Sequence, residues 1–344
     1  MKKTAAVGLS GGVDSAVAAL LLREQGYDVF GITLRLKPAD ASDSDISDAQ
    51  AVADRLGIRL IVCDKRSEFE KSVISDFVNA YARGLTPSPC VGCNQLIKFG
   101  LMADTAFEQG ADFLATGHYA EIERNSNGGC TLKRAQSAKD QSYFLCRLSE
   151  KQLSKTLFPL GALSKNEVRS VAERYALPVA HKHDSQEVCF IPDNDYARFV
   201  EERLGTPVPN GNFLNSSGEV VGTHSGIIRY TIGQRKGLGA FGEPMYVTKI
   251  DAAANTVTIG KNDELFTNDI TIQNISTVSG KPLPEALRCE VKIRCAAKPA
   301  PAVITPLPDR RAKIVFDLPQ RAAAPGQTAA IYSGDTVLGG GEIE

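Results

Sequence analysis

Two short stretches hold residues that could grip a phosphate and residues that could attack an electrophile. The first is Ser10-Gly11-Gly12-Val13-Asp14-Ser15, placed between the apolar run Ala5-Ala6-Val7-Gly8-Leu9 and a helix-favouring segment, Ala16 to Gln25. Strand, tight loop and helix follow from that order. Gly11 and Gly12 let the backbone turn sharply against a ligand, Ser10 and Ser15 add hydroxyls, and the amides opening the helix face the same point, where the helix dipole favours an anion. The predicted occupant is a phosphate. This is not a Walker loop, because no lysine lies between Gly8 and Ser15. Neutralising a polyphosphate therefore calls for Mg²⁺ or for basic groups from elsewhere in the chain.

The second stretch is Thr86-Pro87-Ser88-Pro89-Cys90-Val91-Gly92-Cys93-Asn94. Its prolines stiffen the loop and predict a helix that starts only around Asn94, with Cys93 at its N-terminus and its thiol pKa lowered there. A C-x-x-C pair alone leaves three readings open: a structural metal half-site, a redox pair, or coincidence. A Cys₄ zinc site needs a second such pair, and the remaining cysteines (63, 130, 146, 189, 289 and 295) are isolated, so zinc is disfavoured. Cys189, between Val188 and Phe190, reads on its own as a buried small hydrophobe.

The elements that position these residues alternate. After the first helix, Asp28 to Leu34 is strand-like, residues 38–48 are Asp/Ser-rich and read as an exposed loop, and Ala49, Val52, Ala53 and Leu56 recur at helical spacing. Arg59 to Cys63 gives a third strand. Helices over about Glu68 to Arg83 and Leu96 to Gln109 flank the cysteine loop, and Ala111 to His118 supplies a fourth strand with a polar end. Strands alternating with helices predict a parallel sheet with ligands at the strands' carboxyl ends, where Ser10, Leu34, Gly117 and His118 would converge. Past Val200, Gly, Pro and Asn become frequent and short β-branched runs alternate with turns: Met245 to Ile250, Thr256 to Ile259, Cys289 to Arg294, Ala312 to Phe316 and Thr328 to Tyr332. The fold class expected is α/β: a parallel-sheet domain over 1–200, a small central module over 201–266, and a C-terminal antiparallel barrel or sandwich over 267–344. Gly237 to Gly242 matches G-x-G-x-x-G but runs into a strand, which excludes a dinucleotide site.

Composition sets outer bounds. The 344 residues exceed the size at which single cores stop growing, and a net charge of −1 leaves no global nucleic-acid signature. Between Lys139 and Arg174 seven Lys/Arg face four Asp/Glu, an excess that a solvated face also explains. No apolar run reaches the ~18 residues of a membrane span, and the Met-Lys-Lys start leads straight into a strand, so a cytoplasmic protein with no membrane partner is expected. Its 8 cysteines are then core, metal-binding or catalytic rather than a disulfide framework.

The loop Ser10 to Ser15 resembles the SGGxDS signature of the PP-loop ATP pyrophosphatases, which split ATP between its α- and β-phosphates. With Pro89 to Asn94, Ile97-Lys98-Phe99, Ala115 to Tyr119, Lys139 to Leu145, Asp184-Ser185, Cys189-Phe190-Ile191, Gly233 to Gly239 and Pro325-Gly326-Gln327, taken in order, the chain resembles the tRNA-specific 2-thiouridylase (MnmA/TrmU) family along nearly its whole length. The resemblance implies an ATP-dependent sulfurtransferase acting on the wobble uridine of tRNA. ATP, with Mg²⁺, adenylates the C2 oxygen, a persulfide sulfur carried on Cys189 and supplied by a relay protein attacks C2, and Cys93 is the second thiol. It further implies that Gly8, Leu9, Ser10, Gly11, Gly12, Val13, Asp14, Ser15, Leu34 and Gly117 bind ATP. Ser88, Pro89 and Cys90 would touch the target base, and His118, Lys139, Asp140, Gln141, Arg294, Cys295 and Gln327 would touch tRNA. Phosphate contacts would then give affinity and an extruded base the specificity.

The chain departs from the family pattern where many members have aspartate at the position of Cys90 and asparagine at that of Ser88. Three thiols, Cys90, Cys93 and Cys189, could in number hold a [4Fe-4S] cluster with one open iron, an alternative to the persulfide relay. Two other classes stand beside these: a PP-loop ligase or amidotransferase acting on a small molecule, and a non-catalytic tRNA-binding homologue.

Overall fold

The computed structural model describes residues 2–37, 43–126, 128–182, 188–191 and 193–344; Asp184-Ser185 lie outside them. Its N-terminal part is built on strands β1 (Thr4–Gly8), β2 (Asp28–Arg35), β3 (Leu60–Asp64) and β4 (Phe113–Ala115). A hairpin, β5 (Ala120–Arg124) and β6 (Cys130–Arg134), and the two-residue β7 (Thr156–Leu157) follow. The sheet order β3-β2-β1-β4-β7 is parallel throughout. β1 is central, and its Ala5, Ala6 and Val7 are fully buried, as a strand covered on both faces requires. Helix α1 (Val13–Glu24) covers one face and buries Ala16, Val17, Ala18 and Ala19 against it.

Helix α2 is Ser44–Leu56 and ends on Gly57 at φ 62°. It therefore begins inside the stretch read as an exposed loop: Asp43 and the acidic first turn open the helix before its apolar stripe starts.

The middle of the chain adds β8 (Gly211–Leu214), β9 (Val220–His224), β10 (Tyr246–Asp251) and β11 (Thr256–Gly260) in the order β10-β11-β8-β9. The last part contains β12 (Phe266–Thr277), β13 (Leu287–Lys292), β14 (Ala300–Leu307), β15 (Arg311–Arg321), β16 (Thr328–Ser333) and β17 (Thr336–Ile343). These run β12-β15-β14-β13-β16-β17, and β12 pairs again with β17 through Ile272↔Ile343, so the antiparallel sheet closes into a six-stranded barrel. The barrel is not isolated: β6 pairs with β17 at Lys133↔Thr336 and Leu132↔Val337, so the N-terminal hairpin extends the barrel's sheet.

Candidate active site

The phosphate loop forms as the residue types require. The amide of Leu9 donates to Ile32 O at 2.8 Å, carrying the strand pairing to the loop's edge. The Ser10 amide donates to Ser15 Oγ at 3.2 Å, and Ser15 Oγ donates to Gly12 O at 3.0 Å, so the two serines brace the turn. Gly11 sits at φ +70°, and a Cβ there would lie 2.5 Å from Asp45 O, so glycine is required twice over. Gly12 caps α1 without a side chain, which leaves the helix's opening amides facing the loop.

Asp14 is the charged residue of this loop, and its partners come from far along the chain. Lys165 Nζ lies 2.7 and 2.9 Å from its two oxygens, and Tyr119 Oη donates to Oδ1 at 2.7 Å. Gly117 passes so close to α1 that a Cβ on it would meet Asp14 C and Ser15 N at 2.7 Å. Beside Gly11, the first two turns of α2 present Asp45 and Asp48; Lys37 Nζ is 2.6 Å from Asp45, and Lys182 Nζ is 2.6 Å from Asp48. Burial works against ionisation of Asp45, but these two lysines hold its carboxyl below the usual range.

The cysteine segment differs from the sequence expectation in one respect. The helix starts at Pro89, not near Asn94: Pro89–Gly92 is α-helical and continues through a π-helical stretch, Cys93–Met102, into Ala103–Glu108. Proline is favoured at a first helical position, where its missing N–H costs nothing. Cys93 is consequently a full turn inside, 8 % exposed, and burial pushes its thiol up to about 12, with Lys98 opposing. The expected lowering by a helix N-terminus does not occur. Cys90 and Cys189 are open to solvent yet closely surrounded by protein, and desolvation raises both thiols, again against Lys98.

These thiols share one neighbourhood. A charge on Cys189 or Cys90 raises the pKa of Cys93, and a charge on Cys189 or Cys295 raises that of Cys90. Lys37 and Asp45, beside the phosphate loop, act on Cys189 as well. Cys93 packs in one core cluster with Val188 and Phe190, against which Leu34 rests. Charges beside the phosphate loop thus reach Cys189, and Leu34 packs on the same apolar cluster as Cys93, although Cys93 and Cys189 are 96 positions apart in the chain. No group of three or more His, Cys, Asp or Glu among the described residues is arranged to hold a metal ion.

The Cys90 loop is held from the other two parts of the molecule. Gln327 Nε2 donates to Thr86 O at 3.0 Å and Pro87 O at 3.2 Å, the Thr328 amide donates to Ser88 Oγ at 3.2 Å, and the Thr86 amide donates to Pro325 O at 2.8 Å. Thr86 Oγ1 meets Thr231 Oγ1 of the central module at 2.6 Å. The barrel's Pro325-Gly326-Gln327 turn is therefore a clamp on the Cys90 loop.

The remaining residues fall nearby with varied surroundings. His118 Nδ1 is 2.7 Å from Thr116 Oγ1, and its ring clusters with those of Phe99 and Phe158, which also touch each other; burial first, then Lys98, keeps it well below the ordinary imidazole pKa. Asp140 accepts from the Ala135 and Ser142 amides and from Ser142 Oγ, and Gln141 Oε1 accepts from the Tyr119 amide at 3.0 Å. Arg294 Nη2 donates to Ile232 O at 2.6 Å, while its buried Nε has no protein partner; Cys295 is exposed beside it, and Lys139 is half-buried. Sequence reasoning missed Lys165, Tyr119 and Lys98 as site residues. Lys98 and Tyr119 stand inside blocks that match the family, Ile97-Lys98-Phe99 and Ala115 to Tyr119, whereas Lys165 stands in none; the five-residue step from Cys93 to Lys98 in the π-helical stretch puts those two on one face.

Three family models cover the chain in succession: a tRNA methyl transferase HUP domain over residues 3–193, a tRNA methyl transferase PRC-barrel domain over 197–261, and an aminomethyltransferase β-barrel domain over 267–343. The chain is 44 % identical over 357 residues to the tRNA-specific 2-thiouridylase MnmA of Acetivibrio thermocellus, covering 100 % of this chain and 99 % of that one. The chain belongs to the tRNA-specific 2-thiouridylase family. The MnmA of Geotalea uraniireducens is 46 % identical over 359 residues, covering 100 % of this chain and 95 % of its own, and that of Clostridioides difficile is 43 % identical over 356 residues, covering 100 % and 99 %. A U34-tRNA thiolase, NcsA from Methanococcus maripaludis, solved with its [4Fe-4S] cluster, is 21 % identical at a TM-score of 0.35, covering 58 % of this chain and 66 % of its own. That likeness is too slight to bear on the present site.

Proposed function

We propose that this protein catalyses the ATP-dependent 2-thiolation of the wobble uridine of tRNA. The reading is supported by one observation above the rest: Cys93 lies within the electrostatic reach of Cys189, and Cys189 within that of Lys37 and Asp45 beside the glycine-lined loop, in a chain matched end to end by 2-thiouridylases.

In this reading Gly8 to Ser15, with Leu34 and Gly117, hold ATP, which arrives with Mg²⁺. The uridine, extruded against Ser88, Pro89 and Cys90, presents its C2 oxygen to the α-phosphate; pyrophosphate leaves, and the adenylated oxygen becomes a good leaving group that can depart from C2 as AMP. A relay protein loads Cys189 with a persulfide, whose outer sulfur attacks C2 as AMP departs. Cys93 then attacks the Cys189 sulfur, releasing the transferred sulfur to the base and leaving a Cys93–Cys189 disulfide; the transferred sulfur gains the two electrons that the thiols lose, and an external thiol restores them. The half-buried Lys98 supplies the positive charge that eases thiolate formation in an otherwise desolvating pocket. His118, Lys139, Asp140, Gln141, Arg294, Cys295 and Gln327 would touch tRNA or order the segments that do.

The test is direct: incubate the protein with ATP, Mg²⁺, a persulfide donor and unmodified tRNA, and look for 2-thiouridine by mass spectrometry. Formation that needs ATP and is lost in Asp14→Ala, Cys93→Ala and Cys189→Ala is expected. AMP release without tRNA would favour a small-molecule ligase instead.

A further inference from the structure

Two lysines from distant parts of the chain converge on the start of one helix. Asp45 and Asp48 stand three positions apart near the beginning of α2, and so on one face of it. Lys37, just past β2, donates from Nζ to Asp45 Oδ2 at 2.6 Å. Lys182 bridges both carboxylates, its Nζ 2.6 Å from Asp48 Oδ2 and 3.4 Å from Asp45 Oδ1. The same turns of α2 lean on the phosphate loop, because a Cβ on Gly11 would meet Asp45 O at 2.5 Å and Asp48 Cβ at 3.0 Å.

Lys182 also occupies a particular place along its own chain. Behind it, Leu177, Val179 and Ala180 are buried in the core cluster shared with α1 and α2, and the Lys182 amide donates to Val179 O at 3.1 Å. Ahead of it, the next described stretch is 188–191, where Val188 and Phe190 pack on a different cluster, the one that holds Cys93. Lys182 is thus the last described tie to the nucleotide side before Cys189, seven positions on. Its own partner Asp45, with Lys37, lies within electrostatic reach of that thiol. The four charged side chains are between 37 % and 47 % exposed. Ion pairs that open contribute little to folding stability, so the use of this cluster is in where it holds the chain.

We propose that Lys182 is a positioning residue for sulfur transfer: by bridging Asp45 and Asp48 it sets the Cys189 segment at a fixed offset from the helix that rests on Gly11. The inference deepens the thiolation reading and rests on it. Adenylation needs only the nucleotide loop and the base. Transfer needs the sulfur on Cys189 aimed at the C2 that the nucleotide has activated, and there the offset matters.

The test separates those two steps. Persulfide-loaded wild type, Lys182→Met, Lys182→Arg, Asp48→Asn and Lys182→Met/Asp48→Asn each make a single turnover with Mg·ATP and unmodified tRNA, with thermal unfolding to confirm the fold. Pyrophosphate release reads adenylation, and 2-thiouridine by mass spectrometry reads transfer. Lys182→Met should leave pyrophosphate release within about twofold and slow 2-thiouridine formation about ten- to a hundredfold, as an ångström-scale misplacement does. Lys182→Arg should recover most of the rate. Asp48→Asn should show part of the loss, and the double variant no more than Lys182→Met, because both residues act through one contact. Equal slowing of both steps would make Lys182 a general support of the site and overturn the proposal, as would additive losses in the double variant. A wild type that thiolates beside an equally fast Lys182→Met defeats the positioning role alone. A wild type that forms no 2-thiouridine overturns the thiolation reading, and the proposal with it.

Discussion

Removing the barrel's grip on the Cys90 loop should loosen that loop without touching the nucleotide. Gln327→Ala deletes the two bonds from Nε2 to Thr86 O and Pro87 O, at 3.0 and 3.2 Å. At about 1 kcal/mol net for each, the loop loses about 2 kcal/mol, or roughly thirtyfold in its opening equilibrium. Gly326→Ala acts on the same contact by another route: the residue is at φ +88°, and a Cβ would sit 3.0 Å from Leu85 Cβ and Thr86 N. Strain of about 1–3 kcal/mol follows, and the turn must move off the loop. The phosphate loop shares none of these bonds, so ATP affinity should hold. Hydrogen exchange over residues 85–92 is the assay, run beside ATP titration and single-turnover thiolation. Exchange should accelerate by one to two orders of magnitude in both variants, and thiolation should fall in step. Protection of 85–92 that stays at the wild-type level while thiolation falls would refute the clamp and place Gln327 directly on tRNA.

Further outcomes follow from the thiol environment. With its pKa raised to about 12 by burial, Cys93 in the resting protein should hold roughly a thousandfold less thiolate at pH 8 than a free cysteine. Its alkylation by iodoacetamide, read by mass spectrometry, should rise about tenfold per pH unit from pH 7 to 10; a plateau below pH 9 would show an ionised thiol. The same shift stabilises the fold fully below the free-thiol range, and that stabilisation is lost as pH climbs towards 12. Lys98→Met removes the charge that lowers Cys90, Cys93 and Cys189 together, so the accessible Cys90 and Cys189 should alkylate several-fold more slowly at pH 8. The same change should raise the His118 pKa, which an imidazole NMR titration reads; unaltered reactivity at both cysteines would remove Lys98 from the site.

What the sequence discloses about this protein divides along physical lines. Local patterns suffice for the parallel strands, the glycine loop and the β-branched runs of the barrel, because hydrophobic period and turn chemistry act within a few residues. The start of the cysteine helix was misjudged because Pro87 and Pro89 look like breakers, whereas Pro89 at a first helical position is a starter. That one shift moves Cys93 from an exposed helix end to a buried turn and reverses the direction of its pKa. Long-range partners were not legible: nothing near Asp14 announces Lys165, 151 positions away, nor does Pro325-Gly326-Gln327 announce the carbonyls of Thr86 and Pro87. The pairing of β6 with β17, which fuses the N-terminal hairpin to the barrel, was invisible for the same reason.

The central claim is that Cys93 and Cys189 act on one activated base within a single site. The most direct measurement is a single turnover with persulfide-loaded protein, ATP and unmodified tRNA, quenched by rapid alkylation and analysed by peptide mass spectrometry. A Cys93–Cys189 disulfide appearing in one-to-one proportion with 2-thiouridine, and only when ATP and tRNA are both present, is the predicted result. Full formation of 2-thiouridine by Cys93→Ser in that same turnover, with no disulfide in the wild type, would contradict it.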